Sequence, residues 1–476
     1  MTTAIIVVGI LFIGILGVAG RSRSEMKDWT VADRDFPRWT SWFLQAGEQL
    51  TTFSFLGIAG IAFAGGVSAS FAIAYLTAST IGLYFVGPRI RELGAARGYL
   101  TMSDFFADRF SSRVLSVLVA AVGAVFLVPY LALQITGLGL IVQLATGSAS
   151  ARGLSMVLAS ALVVLFVCWA GIRGIARVSV FKDVGMVIGL AVVAIGVVSA
   201  AGGIPGVFER IARTNDVLLT TNAPGYDAIF FITAVVVTTI GGAFNVFPHS
   251  WPAALAAESG AVLRSNYKWM AIYQLLLFMP VTVGMAAVLL VPADTTRNGV
   301  LFTVSQIALP DWLVAMVAVC GAAAAMVPAA AIAMGISSLL AQSVPAGVSD
   351  RMRFHLNRVF VALAVAAALS FSLAGSDIGS LLLLTYGGLT QLAPAIAAGL
   401  ADKVRLSAPA AASGISVGTL TVAVITFADI PIGSWDSGLL ALAPNLIVTM
   451  LVELAVRTRR GRTEPNVSAA TTSVAP

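Results

Sequence analysis

The feature that most constrains this chain is a succession of long apolar stretches, separated by short charged or Pro/Gly-rich breaks. Of its 476 residues, 58% are hydrophobic and only 11% are charged, and the mean hydropathy is +0.95. Soluble domains carry about 25% charged residues, so the chain is predicted to lie in a lipid bilayer. In lipid, apolar segments satisfy their backbone hydrogen bonds as helices. We therefore predict an all-α, polytopic membrane fold.

The breaks predict about thirteen transmembrane helices in one transporter domain, residues 1–462. Residues 4–19 are apolar with no basic residue before them, so we expect an uncleaved first helix. The tail at 463–476 is rich in Ser, Thr and Ala and is predicted to be disordered. The predicted spans are 3–20, 39–64, 67–88, 113–145, 153–172, 180–202, 229–250, 268–291, 312–342, 358–374, 379–400, 408–428 and 439–456.

The distribution of basic residues predicts the orientation. With the N-terminus outside, all of the 28 Lys and Arg residues fall on the cytoplasmic side except Arg152, Arg210, Arg213 and Arg297. Cytoplasmic loops carry such an excess, so we expect an inner (plasma) membrane protein with a cytoplasmic C-terminus. Topology also explains the net charge of +6, and no nucleic-acid partner is expected. The oligomeric state is left open.

Three cytoplasmic connections carry charged residues. Residues 99–113 are expected to form an interfacial helix, residues 171–183 a tight basic loop, and residues 253–268 a third connection. Solvated loops that satisfy the charge bias are the plainer interpretation of all three. Two longer external loops, 203–227 and 292–311, could include short surface helices.

Enzyme chemistry is not indicated. The chain has two cysteines and two histidines, with no metal-binding spacing. A phosphate-binding loop and an HExxH motif are also missing from the sequence. We therefore predict a protein that is not an enzyme and has no cofactor.

The polar stretch within the second span, WTSWFLQAGEQLTTFSFLGIAGIAFAGG, is the first candidate site. Its middle carries Glu48 and Gln49, followed by Thr51 and Thr52. An ionisable group at membrane depth is costly unless it faces a cavity or a partner, and we expect the glycine-rich second half to depart from helical geometry. The alternative is a helix whose polar groups only hold it to its neighbours.

A second interrupted span, TTIGGAFNVFPHSWP, contains Asn245 and lies five spans further on. Paired broken helices, one in each half, are typical of inverted-repeat transporters with a midplane site. We therefore predict two five-helix repeats, at about 39–202 and 229–400. His249 is interpreted as structural, with a proton role as the alternative.

Two further spans are interrupted by polar residues. Pro129 bends the fourth span, and Tyr130 and Gln134 share one face of it; they line a cavity or bond a neighbouring helix. Gln391 follows Tyr-Gly-Gly in the eleventh span. The candidate substrate-binding residues are Gln49, Thr51, Thr52, Tyr130, Gln134, Asn245 and Gln391.

Over residues 1–460 these motifs resemble the sodium:solute symporter family. The resemblance rests on AGEQLTTFSFLGIAGIAFAGG and YLTMSDFFADRF, and on motifs similar to the bacterial monocarboxylate permease branch: VPYLALQITGLGLIV, GIRGIARVSVFKD, FPHSWPAALAAESGAVLRSNYKWMAIYQLLL and GAAAAMVPAAAIA. It implies a leucine-transporter-type core of inverted five-helix repeats, with one helix before it and two after.

The resemblance also implies a sodium site. Its backbone carbonyls map to Gly47 and Leu50, and its hydroxyl pair maps to Ala333-Met334 or Met334-Gly335, which supply no hydroxyl. Ser337, one turn onward, is the substitute ligand. Alternatively, Glu48 carries a proton. The candidate ion-coupling residues are therefore Gly47, Glu48, Leu50 and Ser337.

These observations predict a secondary active symporter that imports a small monocarboxylate of the pyruvate, lactate or acetate type. Na⁺ is the expected driving ion and H⁺ the alternative, with no other cofactor. No Lys or Arg is expected in the middle of a span, so half-helix N-termini and the co-transported cation would balance an anion. A channel and a non-transporting sensor remain as alternatives from other classes.

Overall fold

The computed structural model describes residues 2–20, 25–146, 152–344 and 347–463. Within these residues the chain is almost entirely helical, and the single two-stranded hairpin, β1 (Asn222–Ala223) with β2 (Tyr226–Asp227), is antiparallel. The first ten helices are α1 Thr2–Ala19, α2 Met26–Val31, α3 Arg38–Gln49, α4 Ile58–Gly65, α5 Phe71–Arg97, α6 Met102–Arg109, α7 Arg113–Thr146, α8 Arg152–Ala200, α9 Gly203–Thr214 and α10 Ala228–Ala243. The others are α11 Ser250–Ala256, α12 Gly260–Tyr273, α13 Phe278–Ala287, α14 Val300–Ala308, α15 Asp311–Ser343, α16 Asp350–Leu373, α17 Ile378–Thr390, α18 Ala393–Leu400, α19 Ala408–Phe427 and α20 Ser437–Thr463.

The first broken helix consists of α3, a π-helical turn at Phe53–Gly57, and α4. The break lies at Leu50, whose backbone is extended with φ −90° and ψ 101°. This position corrects the expectation that the glycine-rich half departs from helical geometry, because that half is α4. Its glycines allow close packing instead: a Cβ on Gly60 would lie 2.5 Å from the carbonyl oxygen of Arg297.

The second broken helix consists of α10 and α11. Asn245 lies between them with φ +53°, a left-handed conformation that Asn tolerates better than most residues. Trp251 Nε1 donates to the Asn245 carbonyl oxygen at 2.8 Å, so the first turn of α11 holds the break in place. The segment before α3 is joined to the end of α11, since Phe36 N donates to Ala256 O at 3.0 Å.

Packing between helices places the two breaks together. α15 packs against α7 and α8, α5 against α10 and α12, and α3 against α8, α12 and α15. The middle of α15 is rich in alanine and entirely buried, because small side chains let helix backbones approach closely. These contacts surround α3 with helices from both predicted repeats.

α8 corrects the prediction for residues 171–183. Those residues are helical, and the only departure is at Gly171, with φ +56° and ψ −170°. The kink divides one long helix into the two stretches that were predicted as separate spans. Lys182 is therefore inside a helix and completely buried, which also corrects the expectation that no Lys or Arg lies in the middle of a span.

Short helices lie in the other predicted connections. Residues 99–113, predicted as an interfacial helix, contain α6, and residues 253–268 are largely helical in α11 and α12. α9 and α14 lie in the two loops that were predicted to be external. Among the described residues, eight helices are long and apolar enough to cross a membrane, and the pair α17–α18, bent by 46°, makes a ninth. The all-α membrane fold is confirmed, and the count of thirteen spans stays a prediction. The tail at 464–476 lies outside the described residues.

Candidate functional site

A cavity of about 70 Å³ lies between the two breaks. Its lining comes from the α3 break, α5, α7, the α10–α11 break, α12 and α17. Five residues that the sequence proposed lie in this lining: Glu48, Gln49, Thr51, Tyr130 and Asn245.

Glu48 is the only carboxyl among the cavity-lining residues that the structure describes. It is 6% exposed, and its charge interacts with Lys182 and with the hydroxyls of Tyr130 and Tyr267. Tyr130 also interacts with the Thr51 side chain. An ionised carboxylate in such a site needs a counter-charge or a proton, and Lys182 is the cation with which Glu48 interacts.

Three further polar atoms of the cavity lining have no hydrogen-bond partner in the described part of the chain. One is the acceptor Gln45 Oε1 of α3. The other two are Asn245 Nδ2 and His249 Nδ1, whose residues are buried, at 5% and 3% exposure. The His249 ring also packs against Tyr130 and Phe247, each with centroids 5.5 Å apart. Buried polar atoms are nearly always bonded, so these two groups are candidates to bind a solute.

Gln134 and Thr52 lie next to the cavity and shape the break. Gln134 Oε1 accepts from Thr52 N at 3.2 Å, so a side chain of α7 satisfies a backbone N–H that the break leaves free. The next N–H, that of Phe53, donates to Thr51 Oγ1 at 3.2 Å. Gln49 Oε1 accepts from Gln274 Nε2 at 2.7 Å, which joins α3 to the end of α12.

Gln391 and Ser337 are placed elsewhere. Gln391 Nε2 donates to the carbonyl oxygens of Gly387 and Gly438, at 3.0 and 2.9 Å, and Asn445 donates back to it. This network joins the α17–α18 bend to α20, and Gln391 is not in the cavity lining. Ser337 Oγ donates to Met334 O within its own helix at 3.0 Å.

Gly47 and Leu50 offer their carbonyl oxygens to Lys182. Lys182 Nζ donates to Gly47 O at 3.0 Å, to Leu50 O, and to Asp183 Oδ1 at 2.9 Å. Val327 of α15 lies near Gly47 on this side, where it presents carbon atoms. The two oxygens that the sequence assigned to Na⁺ therefore bind an ammonium group in this structure.

Lys182 was not predicted as a site residue, because the charges in GIRGIARVSVFKD are typical of a connection between spans. One signal was present: Lys182 and Asp183 are adjacent and are followed by the apolar run VGMVIGLAVVAIGVV. An adjacent acid–base pair at the start of a long apolar run is compatible with a buried pair, since burial of either charge alone is unfavourable.

The family of this chain follows from comparison with known proteins. Residues 29–350 match the model of the sodium:solute symporter family. The chain is 31% identical to the uncharacterized symporter YhjB of Bacillus subtilis (strain 168), across 95% of this chain and 97% of the relative. It is 25% identical to a monocarboxylate transport permease protein of Rhizobium johnstonii, across 67% of this chain and 65% of the relative.

Two solved structures share the fold. A Na⁺-coupled sialic acid symporter in a substrate-bound, outward-open state superposes with a TM-score of 0.75 at 18% identity, covering 96% of this chain and 98% of that one. A nucleobase-cation-symport-1 family transporter superposes with a TM-score of 0.57 at 15% identity, covering 95% and 97%. The fold is therefore of the leucine-transporter type, and the chain belongs to the sodium:solute symporter family.

Proposed function

We propose that this protein imports a small organic monocarboxylate by cation-coupled symport. Alternating access would take place around the α3–α4 and α10–α11 breaks. Transport would be into the cell across the inner membrane, with the N-terminus outside and the C-terminus in the cytoplasm. The carboxyl of Glu48 in a small cavity between the two breaks is the observation that carries this proposal.

Glu48 favours symport because of charge balance. A carboxylate solute next to an ionised Glu48 would place two negative charges in one poorly hydrated cavity, and like charges at such distances cannot both remain uncompensated. A co-transported cation or proton removes that conflict. Binding of the solute and of the cation then favour each other, which is the requirement for coupled transport.

Several features support a small monocarboxylate. The cavity of about 70 Å³ is far smaller than the ~300–1,000 Å³ pockets that bind drug-sized ligands. Asn245 Nδ2 and His249 Nδ1 belong to residues of its lining, have no hydrogen-bond partner among the described residues, and suit a compact oxygen-rich solute. The relative in Rhizobium johnstonii carries the name of a monocarboxylate transport permease.

Family membership makes Na⁺ the expected coupling ion, and H⁺ is the alternative that the sequence left open. Gly47, Leu50 and Ser337 are the proposed Na⁺ ligands, and Glu48 is the proposed proton carrier. The Na⁺ site would need its two carbonyl oxygens free, whereas both bind Lys182. That contact is the specific observation that favours H⁺.

Counterflow in proteoliposomes tests the solute class without any ion gradient. Vesicles containing the purified full chain are loaded with unlabelled pyruvate, lactate or acetate and diluted into the labelled solute. We expect transient accumulation with at least one monocarboxylate and none with labelled glucose or alanine. Counterflow with none of the three acids would refute the proposed solute class.

Glu48→Gln tests the proposed role of the carboxyl. The change keeps the shape of the side chain and removes its charge, so we expect gradient-driven accumulation to be lost. Glu258→Gln, at a carboxyl that is not in the cavity lining, is the matched control and should accumulate solute as wild type does.

A further inference from the structure

Lys182 is the buried cation nearest the break in α3. Its side chain has no solvent exposure and is among the largest fully buried side chains of the described residues. An unpaired ammonium is very costly to bury. The surroundings of Nζ therefore decide what this residue can do.

The partners of Lys182 match its charged form. An ammonium has three N–H donors and no acceptor, and Nζ has three oxygen partners: Gly47 O, Leu50 O and Asp183 Oδ1. A neutral amine would have only two donors for these three acceptors. The geometry thus describes a protonated lysine bound as a cation.

The site is also the kind of site that binds a free cation. Carbonyl oxygens at the C-terminal end of a helix carry partial negative charge, and unwound carbonyls of broken helices are ligands for coupling ions in transporters. Gly47 and Leu50 supply such carbonyls where α3 ends. A Na⁺ bound to the same two oxygens would lie against a second positive charge.

Two carboxyls face Lys182 in the described part of the chain. Asp183 lies on α8 itself and Glu48 on α3, and both interact with the amine. Asp183 Oδ2 is buried and has no hydrogen-bond partner among the described residues. Farther from the amine, Tyr273 of α12 interacts with Asp183, and Tyr267 interacts with Glu48.

The other described helices that pack against α8 hold their charged groups in contacts elsewhere. Arg113 of α7 donates to Ser343 O, and Arg210 of α9 donates to Ala201 O beyond the end of α8. α1, α13 and α14 contain no ionisable side chain, and α15 presents Val327 toward Gly47. The charged residues of α2 and α16 meet α8 nearer its start, where Asp28 pairs with Arg173 and Arg358 interacts with Cys168.

We propose that the ammonium of Lys182 is the resident cation of the α3 break and replaces Na⁺ there, because it binds both carbonyl oxygens that the family resemblance assigns to Na⁺. This inference rests on the proposed function, since it removes one set of ligands for the ion that accompanies the solute. Ala333, Met334 and Gly335 of α15 add no hydroxyl to the site, so its donors do not fit Na⁺.

The first test measures whether Na⁺ binds to the protein, and it requires no solute. The thermal midpoint of the purified full chain is measured in NaCl and in choline chloride of equal concentration. We expect equal midpoints, because the carbonyl oxygens already bind Lys182. A saturable, Na⁺-specific rise in the midpoint would overturn the proposal.

Uptake of labelled pyruvate, lactate and acetate provides the second test, with entry into protein-free liposomes subtracted. An inward H⁺ gradient in Na⁺-free medium should drive accumulation of up to about tenfold per pH unit, since one pH unit per proton carried corresponds to a factor of ten. Replacing choline by Na⁺ should leave that accumulation unchanged. Accumulation that requires a Na⁺ gradient would contradict the proposal.

Substitutions test whether the ammonium holds the break. Lys182→Met leaves the carbonyl oxygens of Gly47 and Leu50 without their donor, so its thermal midpoint should fall, whereas Lys182→Arg keeps a cation and should fall less. Lys403→Met, at an exposed lysine, should keep the wild-type midpoint. Lys182→Met with a wild-type midpoint would overturn the proposal.

The arms distinguish the two proposals. If no monocarboxylate gives counterflow, the proposed solute class fails, and the Na⁺ midpoint still tests the lysine site. If counterflow is present but accumulation follows Na⁺, the solute class stands and the lysine inference fails. If the Lys182 variants do not fold, the two wild-type measurements decide between Na⁺ and H⁺.

Discussion

The contact between Gln134 and the α3 break leads to a prediction whose size follows from the structure. Gln134 has no solvent exposure, and its Oε1 accepts the Thr52 N–H at 3.2 Å. Gln134→Met keeps the length of the side chain and removes the acceptor. The Thr52 N–H would then be buried and unsatisfied, which costs about 1–3 kcal/mol.

That cost falls on the conformation in which the break packs against α7. A penalty of about 1–3 kcal/mol corresponds to a change of about 5–150-fold in the balance between conformations. We therefore expect Gln134→Met to lower the apparent affinity in counterflow within that range, and to lower the thermal midpoint. Because the variant also removes Nε2, which has no partner among the described residues, the effect should fall toward the lower end.

The measurement is the concentration dependence of counterflow together with thermal denaturation in detergent. Gln134→Glu keeps an oxygen acceptor at the same position and should lie closer to wild type than Gln134→Met. Gln306→Met, at an exposed glutamine of α14, is the matched control. A Gln134→Met protein with wild-type affinity and midpoint would refute the argument that this side chain supports the break.

Three further predictions address other positions. In Asn245→Gly the new residue tolerates φ +53° but lacks the amide, so the variant should keep the thermal midpoint and lose counterflow. Asn245→Ala should lower both the midpoint and the counterflow rate. A wild-type counterflow rate in both variants would exclude Asn245 from solute binding. Gly388→Ala should lower the midpoint strongly, because its Cβ would lie 1.9 Å from a ring carbon of Phe126, and Phe126→Leu should recover part of the loss; no recovery would mean that another contact is limiting. Burial raises the pKa of Asp436 to about 6, so its contribution to stability is fully present below its unfolded pKa and is lost as pH rises through about 6. Asp436→Asn should remove that part of the pH dependence, measured as thermal midpoints between pH 4 and 7; unchanged pH dependence would contradict the assignment to Asp436.

Much of this protein could be predicted from its sequence because a bilayer imposes strict rules. Lipid leaves no water for backbone groups, so long apolar runs must be helices, and the two interrupted runs, around Glu48 and Asn245, stood out against them. The cavity lies between those two interruptions. Such reasoning is limited, as Gln391 shows. It was predicted to bind the solute because it is a polar residue within a span, whereas its side chain hydrogen-bonds to Asn445 in a network between helices.

The sequence by itself determined a polytopic helical membrane protein with two broken helices and a carboxyl between them, since hydropathy and the cost of buried polar groups act locally along the chain. Only the tertiary structure decided what fills the α3 break. Lys182 and Gly47 are 135 residues apart, and nothing in either local segment specifies that one will satisfy the other. In a sequence, a basic residue next to an apolar run is typical of a loop, because the oxygens that could accept its hydrogen bonds are not visible there. In the structure, α8 and the end of α3 supply three such oxygens, and these make the burial of an ammonium possible.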